Sequence, residues 1–293
     1  DAGGADADGV LQICAALELV QACALIHDDI IDSSRTRRGH PTVHVEFADH
    51  HREQGWAGES GQFGDSVAIL LGDLALAWAD DMTHAAPIAP QVAARVAAVW
   101  SAMRTEVLGG QLLDITGEAS GDESVEGALR INRYKTAAYT IERPLHIGAS
   151  LAGADDALIA TYRSFGTDVG IAFQLRDDLL GVFGDPDVTG KPSGDDLREG
   201  KRTALLAAAL AAADATDPAR ARLLRASVGT ELSESELEHI RRVLTELGAV
   251  DDIERRITDL TTRALAALDS STVSEPARSR LREMAVAATA RRA

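Results

Sequence analysis

Residues 10–32 read VLQICAALELVQACALIHDDIID, and residues 173–181 read FQLRDDLLG. Each is an apolar run closed by adjacent aspartates. In the first, Asp28 and Asp32 stand four apart, so on a helix both carboxylates project from one face, one turn from each other. Like charges at that spacing destabilise a helix, and its C-terminal end is the wrong end for acids in the field of the helix dipole. That local cost points to a cation between them. Hard oxygen ligands so spaced suit Mg²⁺, which takes one or two carboxylates and completes its shell with water and phosphate. Asp29 points about a hundred degrees away and is placed to support rather than to ligate. The second stretch repeats the arrangement at Asp177 and Asp178, 149 residues later.

Outward from these two stretches the periodicity stays helical. It predicts helices over 10–31, 63–83, 89–117, 124–152, 157–182 and 203–213, and a final pair over 250–268 and 275–292. Ser233-Glu234-Ser235-Glu236 is a capping box that opens another helix, with Gly248 as its stop. No run of period-two alternation stands out. Aromatic residues make up only 4% of the chain, a poor mix for a β fold. The fold class expected is therefore all-α, in a single domain over residues 1–293. Three polar loops are expected at 49–62, 117–124 and 184–200, the last (GDPDVTGKPSGDDLREG) directly after the second acid pair.

The chain carries 29 basic and 46 acidic residues, a net charge of −17, which argues against a nucleic-acid partner. Only three of the 29 basic residues are lysines: Lys135, Lys191 and Lys201. Lys191 and Lys201 follow the second acid pair, Arg35, Arg37 and Arg38 follow the first, and Lys135 lies between. A lysine is a compact point charge suited to phosphate, and an arginine is a bidentate fork. Acid pairs among such cations imply a polyanion held through metal bridges, for which a diphosphate ester with a greasy substituent fits. No Gly-x-x-x-x-Gly-Lys loop follows a strand, so a nucleotide fold is excluded. No uninterrupted apolar run reaches the length of a membrane span, so no transmembrane segment is expected. Cys14 and Cys23, about 13 Å apart on a helix, read as small buried hydrophobes in a reducing, cytoplasmic setting.

These residues resemble the trans-isoprenyl diphosphate synthases (polyprenyl synthetases), and among them the bacterial geranylgeranyl diphosphate synthases most. HDDIIDSSRTRRGHPTVH, FGDSVAILLGDLALAWADDM, MRTEVLGGQLLD, RYKTAAYTIERP and FQLRDDLLGVFGDPDVTGKPSGDDLREGKRT match the family's blocks in order, from Asp28 to Thr203. The resemblance implies an isoprenoid-synthase (class I terpenoid synthase) helical bundle around a central apolar cavity, as a homodimer. It implies Mg²⁺-dependent condensation of isopentenyl diphosphate with an allylic diphosphate. Carried over, Asp28 and Asp32 bind two Mg²⁺ and Asp177 a third, with Asp178 and Asp29 as supporting acids. Arg37, Lys135 and Lys191 grip the allylic diphosphate. Arg38 and Gln21 face isopentenyl diphosphate, with Phe173 beside its hydrocarbon part. Thr136, Gln174, Gln111, Asp114 and Lys201 complete the polar surroundings. His27, beside Asp28, reads as an orienting or packing residue rather than a base.

Three departures bear on these expectations. Residues 1–27 hold no Lys or Arg, where the family has a basic segment, so an N-terminal segment is expected to precede residue 1. Gly181 stands where the second motif has its third aspartate, and Asp185 is the substitute considered. Cys23 and Ala24, five and four residues before Asp28, are small where a synthase limited to fifteen carbons carries an aromatic, so a product of twenty carbons or more is expected. The alternatives are a class I terpene cyclase, which would lack Arg37-Arg38 and the second acid pair, and a non-catalytic partner subunit.

Overall fold

The computed structural model describes residues 7–185 and 194–290 and is almost wholly helical. The chain separates into two compact units, one running to Arg95 and one from Val96 onward, with the division inside a continuous helix.

In the first unit, α1 (Ala7–Ile31) packs on α3 (Ser60–His84), and α2 (Val43–Glu53) packs on both. The buried side chains that α1 and α3 carry are mostly small: Ala16, Val20 and Cys23 beside Ile13 on one helix, Ala68, Ala75 and Ala79 on the other. Their spacing of three, four and seven residues puts them on one face of each helix. Gly72 of α3 has the His27 ring over it; a Cβ there would collide with the imidazole. Between α1 and α2 the chain makes a minimal hairpin, β1 (Thr36–Arg37) with β2 (His40–Pro41). Arg38 and Gly39 at its tip both have positive φ, 53° and 77°, as a two-residue turn of the primed type requires. Arg38 thus bears backbone strain that a glycine would not.

In the second unit, α4 (Pro90–Ser120, begun in the first unit) leads to α5 (Val125–Ile131), a π-helix over Asn132–Glu142, α6 (Arg143–Ala152) and α7 (Asp156–Phe183). Then come α8 (Asp195–Glu199), α9 (Ala204–Thr216), α10 (Pro218–Ser227), α11 (Glu234–Glu246), α12 (Ala249–Asp269) and α13 (Glu275–Thr289). The largest core joins Leu175, Leu179 and Val182 of α7 to Leu205, Leu206 and Leu210 of α9. Leu237, Ile240 and Leu244 of α11 and Ile253 of α12 close it. The Ser233 capping box forms as expected, and Gly248 marks the α11–α12 junction at φ 74°.

The π-helix replaces the middle of the single helix expected over 124–152. Its wider turn is accommodated because its neighbours lack Cβ atoms where they touch it. Gly166 and Gly170 of α7 lie against Glu142 and Ala137, and a Cβ on either would come within 2.6 Å and 2.5 Å of those residues' Cα atoms. Such insertions persist where local geometry serves a site, and this one carries Lys135 and Thr136.

Other expectations are corrected. The loop at 49–62 shrinks to residues 54–59, because α2 continues through Glu53 and Glu59 caps α3. Helix α4 runs to Ser120, beyond the expected stop. Helix α10 was not anticipated; Pro218 starts it, under an Asp217 cap. Cys14 is exposed rather than buried, and Cys23 is buried. By length and composition α1 alone among the described residues could cross a membrane, since Glu18 and Gln21 do not lower its mean hydropathy enough. It packs along α3, however, and its last turn carries carboxylates at 28 and 29, with Asp32 just past its end.

The glycine contacts give a direct check. Gly170→Ala is expected to cost about 1–3 kcal/mol by overpacking. Gly148→Ala, at an exposed helical position with nothing within 4 Å of the added carbon, is expected to gain about 0.5–1 kcal/mol. Urea unfolding of the two variants measures the opposite signs.

Candidate active site

In the first unit, α1 ends as the sequence suggests. The Asp32 amide donates to the Asp28 carbonyl at 2.8 Å, so the helical turn that aligns the two carboxylates is intact. Asp29 turns inward and is 5% exposed. The hairpin returns Arg37 over it. Arg37 Nε and Nη2 donate to Asp29 Oδ1 at 2.9 and 2.6 Å, and Nη2 lies 3.5 Å from Asp28 Oδ2. Burial works against the guanidinium charge. The bond to Asp29 and the charges of Asp29, Asp28 and Asp32 outweigh it, holding the pKa of Arg37 above its ordinary value. Arg38, at the turn, is exposed. Gln21 and Ala24 are half-buried on α1. Cys23 faces His27: its Sγ is 3.7 Å from Nδ1, and His27 Nε2 is 3.1 Å from the Ile69 carbonyl. Burial, helped by the charge of Asp73, pushes the Cys23 thiol up to about 11. His27 therefore packs α1 against α3.

In the second unit, α4, the π-helix and α7 bring together most of the remaining residues. Lys135 Nζ donates to Asp114 Oδ2 at 2.6 Å. Gln111, on the same helix, keeps its buried amide nitrogen without a hydrogen-bond partner among the described residues. Thr136 Oγ1 donates to Gln174 Oε1 at 2.8 Å, and Gln174 Nε2 donates to Asp178 Oδ1 at 2.9 Å. Phe173 lies half-buried one turn before Asp177, which is exposed, while Asp178 is buried. Burial pushes Asp178 up to about 7, reinforced by the charges of Asp196 and Asp177; hydrogen bonds from Gln174 and Asn132 pull the other way. Lys201 Nζ lies 2.8 Å from Glu199 Oε2 and 3.8 Å from Asp196 Oδ1. Lys191 lies outside the described residues.

Asp196 is the residue that sequence reasoning missed. Its carboxylate lies where a side chain at 181 would begin: a Cβ on Gly181 would collide with Asp196 Oδ2 and come within 2.5 Å of Cγ. Asp196, an acid the sequence reading did not consider, is thus found against Gly181. The Gly194 amide, donating to the Gly181 carbonyl at 3.0 Å, brings the start of α8 back onto α7. The signal available was the pairing of an acid-rich loop with a glycine at an expected acid.

Among the described residues no three acidic, imidazole or thiol side chains converge on one metal position. An Mg²⁺ site needs no such triad, because one or two carboxylates plus substrate phosphate suffice. The carboxylates here are hard oxygen ligands, and Asp177 and Asp196 place their charges beside the buried Asp178. The residues fit the ion.

The polyprenyl synthetase profile matches residues 3–246. The chain belongs to the polyprenyl synthetase family of prenyltransferases. Its structure superposes, at a TM-score of 0.95 and 52% identity, on a geranylgeranyl pyrophosphate synthase from Corynebacterium glutamicum complexed with isoprenyl diphosphate and magnesium. That match covers 99% of this chain and 81% of the other. Among curated polyprenyl synthetases it is 35% identical to the geranylfarnesyl diphosphate synthase of Aeropyrum pernix over 87% of its own length and 74% of that protein's. It is 36% identical to a farnesyl diphosphate synthase of Mycobacterium bovis over 69% and 51%. The chain thus spans about half to three-quarters of these curated relatives. The fold is the all-α isoprenoid-synthase fold of the family.

One pH dependence follows. Asp178 holds its proton in the folded state to about pH 7, whereas the unfolded group releases it near 3.8. Metal-free stability should therefore fall as pH rises between those values, since the folded state binds the extra proton there. Asp178→Asn should remove that component of the slope. Thermal melts across the pH range read both.

Proposed function

We propose that this chain joins isopentenyl diphosphate head-to-tail to an allylic diphosphate, lengthening it by one isoprene unit, with geranylgeranyl diphosphate as the main product. The observation that carries this reading is the way three of the diphosphate-directed cations stand on helper carboxylates: Arg37 on Asp29, Lys135 on Asp114, Lys201 on Glu199. A cation so held is fixed in place and keeps further donor capacity for an anion.

In this reading Asp28 and Asp32 hold two Mg²⁺ ions and Asp177 a third, with Asp29 and Asp178 supporting. Bound Mg²⁺ supplies positive charge that stabilises the departing diphosphate. Arg37, Lys135 and Lys191 hold the allylic diphosphate, so its C–O bond breaks with the electron pair leaving on oxygen. Arg38 and Gln21 orient isopentenyl diphosphate, Phe173 lies along its hydrocarbon part, and Lys201 adds charge at the rim. The double bond of isopentenyl diphosphate attacks the allylic carbon, and the released diphosphate takes a proton from the adduct, which restores an alkene. The Thr136–Gln174–Asp178 chain of hydrogen bonds keeps its dipoles fixed while charge moves, which avoids reorganisation during the reaction. His27, engaged with Ile69 and Cys23, serves as a packing residue. Cys23 and Ala24 leave room for chain growth beyond fifteen carbons.

Each unit also leaves an apolar helix face exposed: Leu70, Leu74 and Trp78 on α3, and Leu108, Leu112 and Ile115 on α4. Contiguous exposed apolar faces of this kind mark interaction surfaces. We assign them to a second copy of the chain, as a homodimer. Leu70→Asp with Leu74→Asp is expected to convert the dimer to monomer by light scattering after gel filtration; an unchanged mass would contradict the assignment.

A primer series with labelled isopentenyl diphosphate, Mg²⁺ and chromatographic sizing tests the activity. Added farnesyl diphosphate is expected to be extended to twenty carbons. Asp28→Asn and Asp177→Asn are each expected to lower kcat by about a hundredfold or more. No incorporation with any primer would instead support a non-catalytic partner subunit, and accumulation of the fifteen-carbon product would overturn the chain-length reading.

A further inference from the structure

One tight contact beside the proposed site is made between backbones alone. Gly110 is buried on α4, and a Cβ there would collide with the Lys135 amide nitrogen, lie 2.5 Å from Lys135 Cα and 2.6 Å from the Tyr134 carbonyl carbon. All three are backbone atoms, so no rotamer change could relieve the clash. Helix α4 and the π-helix touch main chain to main chain at the residue that carries the cation. One turn further along the same face of α4, Asp114 takes the Lys135 ammonium at 2.6 Å. From α7, Gly170 closes on Ala137, two residues beyond Lys135, within 2.5 Å of its Cα for an added Cβ. The π-helix is therefore bounded by bare α-carbons from two helices. Gly109, the neighbour of Gly110, has nothing within 4 Å of the corresponding position.

We propose that Gly110 is a positioning residue for Lys135: its missing side chain lets α4 set the backbone of the lysine by direct contact, while Asp114 sets the ammonium. The inference rests on the reading in which Lys135 holds the allylic diphosphate. A methyl group at 110 must push the π-helix off α4, and the lysine with it. A charged hydrogen bond moved out of reach loses its binding contribution even though the residue is still present.

The adjacent glycines make the test internally controlled. Gly109→Ala and Gly110→Ala change helix propensity equally, but only the second adds a clash. For Gly110→Ala, KM for the allylic diphosphate is expected to rise roughly tenfold or more, the value of one lost charged hydrogen bond, with KM for isopentenyl diphosphate unchanged. Gly109→Ala is expected to alter neither and to raise the melting temperature. On a Lys135→Met background Gly110→Ala should add nothing, because the contact it disturbs is gone.

The position of the lysine can also be read without turnover. With three lysines in the chain, selective ¹³Cε-lysine labelling gives a spectrum of three side chains, and Lys135→Met identifies the signal of Lys135. Gly110→Ala is expected to shift that signal and leave Lys191 and Lys201 in place; Gly109→Ala is expected to shift none. A folded Gly110→Ala with an unmoved Lys135 signal overturns the inference, as does an equal rise of both KM values or a full further loss on the Lys135→Met background. Should Gly110→Ala fail to fold, Asp114→Asn removes the other half of the support without steric change. It must then move the same signal, and an unmoved signal overturns the inference. Failure of the wild-type chain to turn over any primer would count against the proposed function, and the lysine spectrum would still decide the role of Gly110.

Discussion

Carboxylates gathered at helix ends repel one another and pay for burial, so each must be given a counter-charge, share a proton or await a cation. Counter-charge and protonation both occur here. Asp29 is buried under Arg37, Asp114 takes Lys135, and Glu199 takes Lys201. Asp178, buried beside Asp177 and Asp196, shifts toward its neutral form. Asp28 and Asp32 remain aligned on one helical turn. Much of the local architecture serves this arrangement. A strained turn at Arg38 returns Arg37 over α1, a π-helix lowers Lys135 onto α4, and a glycine at 181 admits Asp196 to the acid group.

Close approach to a glycine recurs at several points beside the proposed site. Gly72 seats His27 directly before Asp28, Gly110 meets Lys135, Gly170 meets Ala137, and Gly181 meets Asp196. Side chains at these points would not merely loosen packing, because they would move a charged group. Rigid elements in close contact hold such groups more accurately than loops do, and the proposed chemistry depends on that accuracy.

Much of this was legible in the amino-acid order. The apolar run ending at Asp32, the repeat at Asp177 and the family blocks between them gave the helical class, both acid groups and the cations. The lysines were informative because they are rare: Lys135 and Lys201 each stand within an acid-bearing cluster. What could not be read was local geometry that period alone does not encode. A π-turn at Asn132–Glu142 has the same apolar spacing at its ends as a continuous helix. Asp196 is 15 residues from Gly181 and meets it only because Gly194 folds the chain back. Cys14 lies in an apolar run yet faces outward, since hydrophobicity on every side of α1 obscures which side is covered.

On the proposed reading, an acidic chain of net charge −17 recognises diphosphate by reversing its local sign with metal. Titration calorimetry of inorganic diphosphate into the protein, with and without MgCl₂, tests it most directly. Binding is expected only with Mg²⁺, and Asp28→Asn and Asp177→Asn should each weaken it. Binding of equal strength in the presence of a chelator, or binding indifferent to both substitutions, would contradict the account.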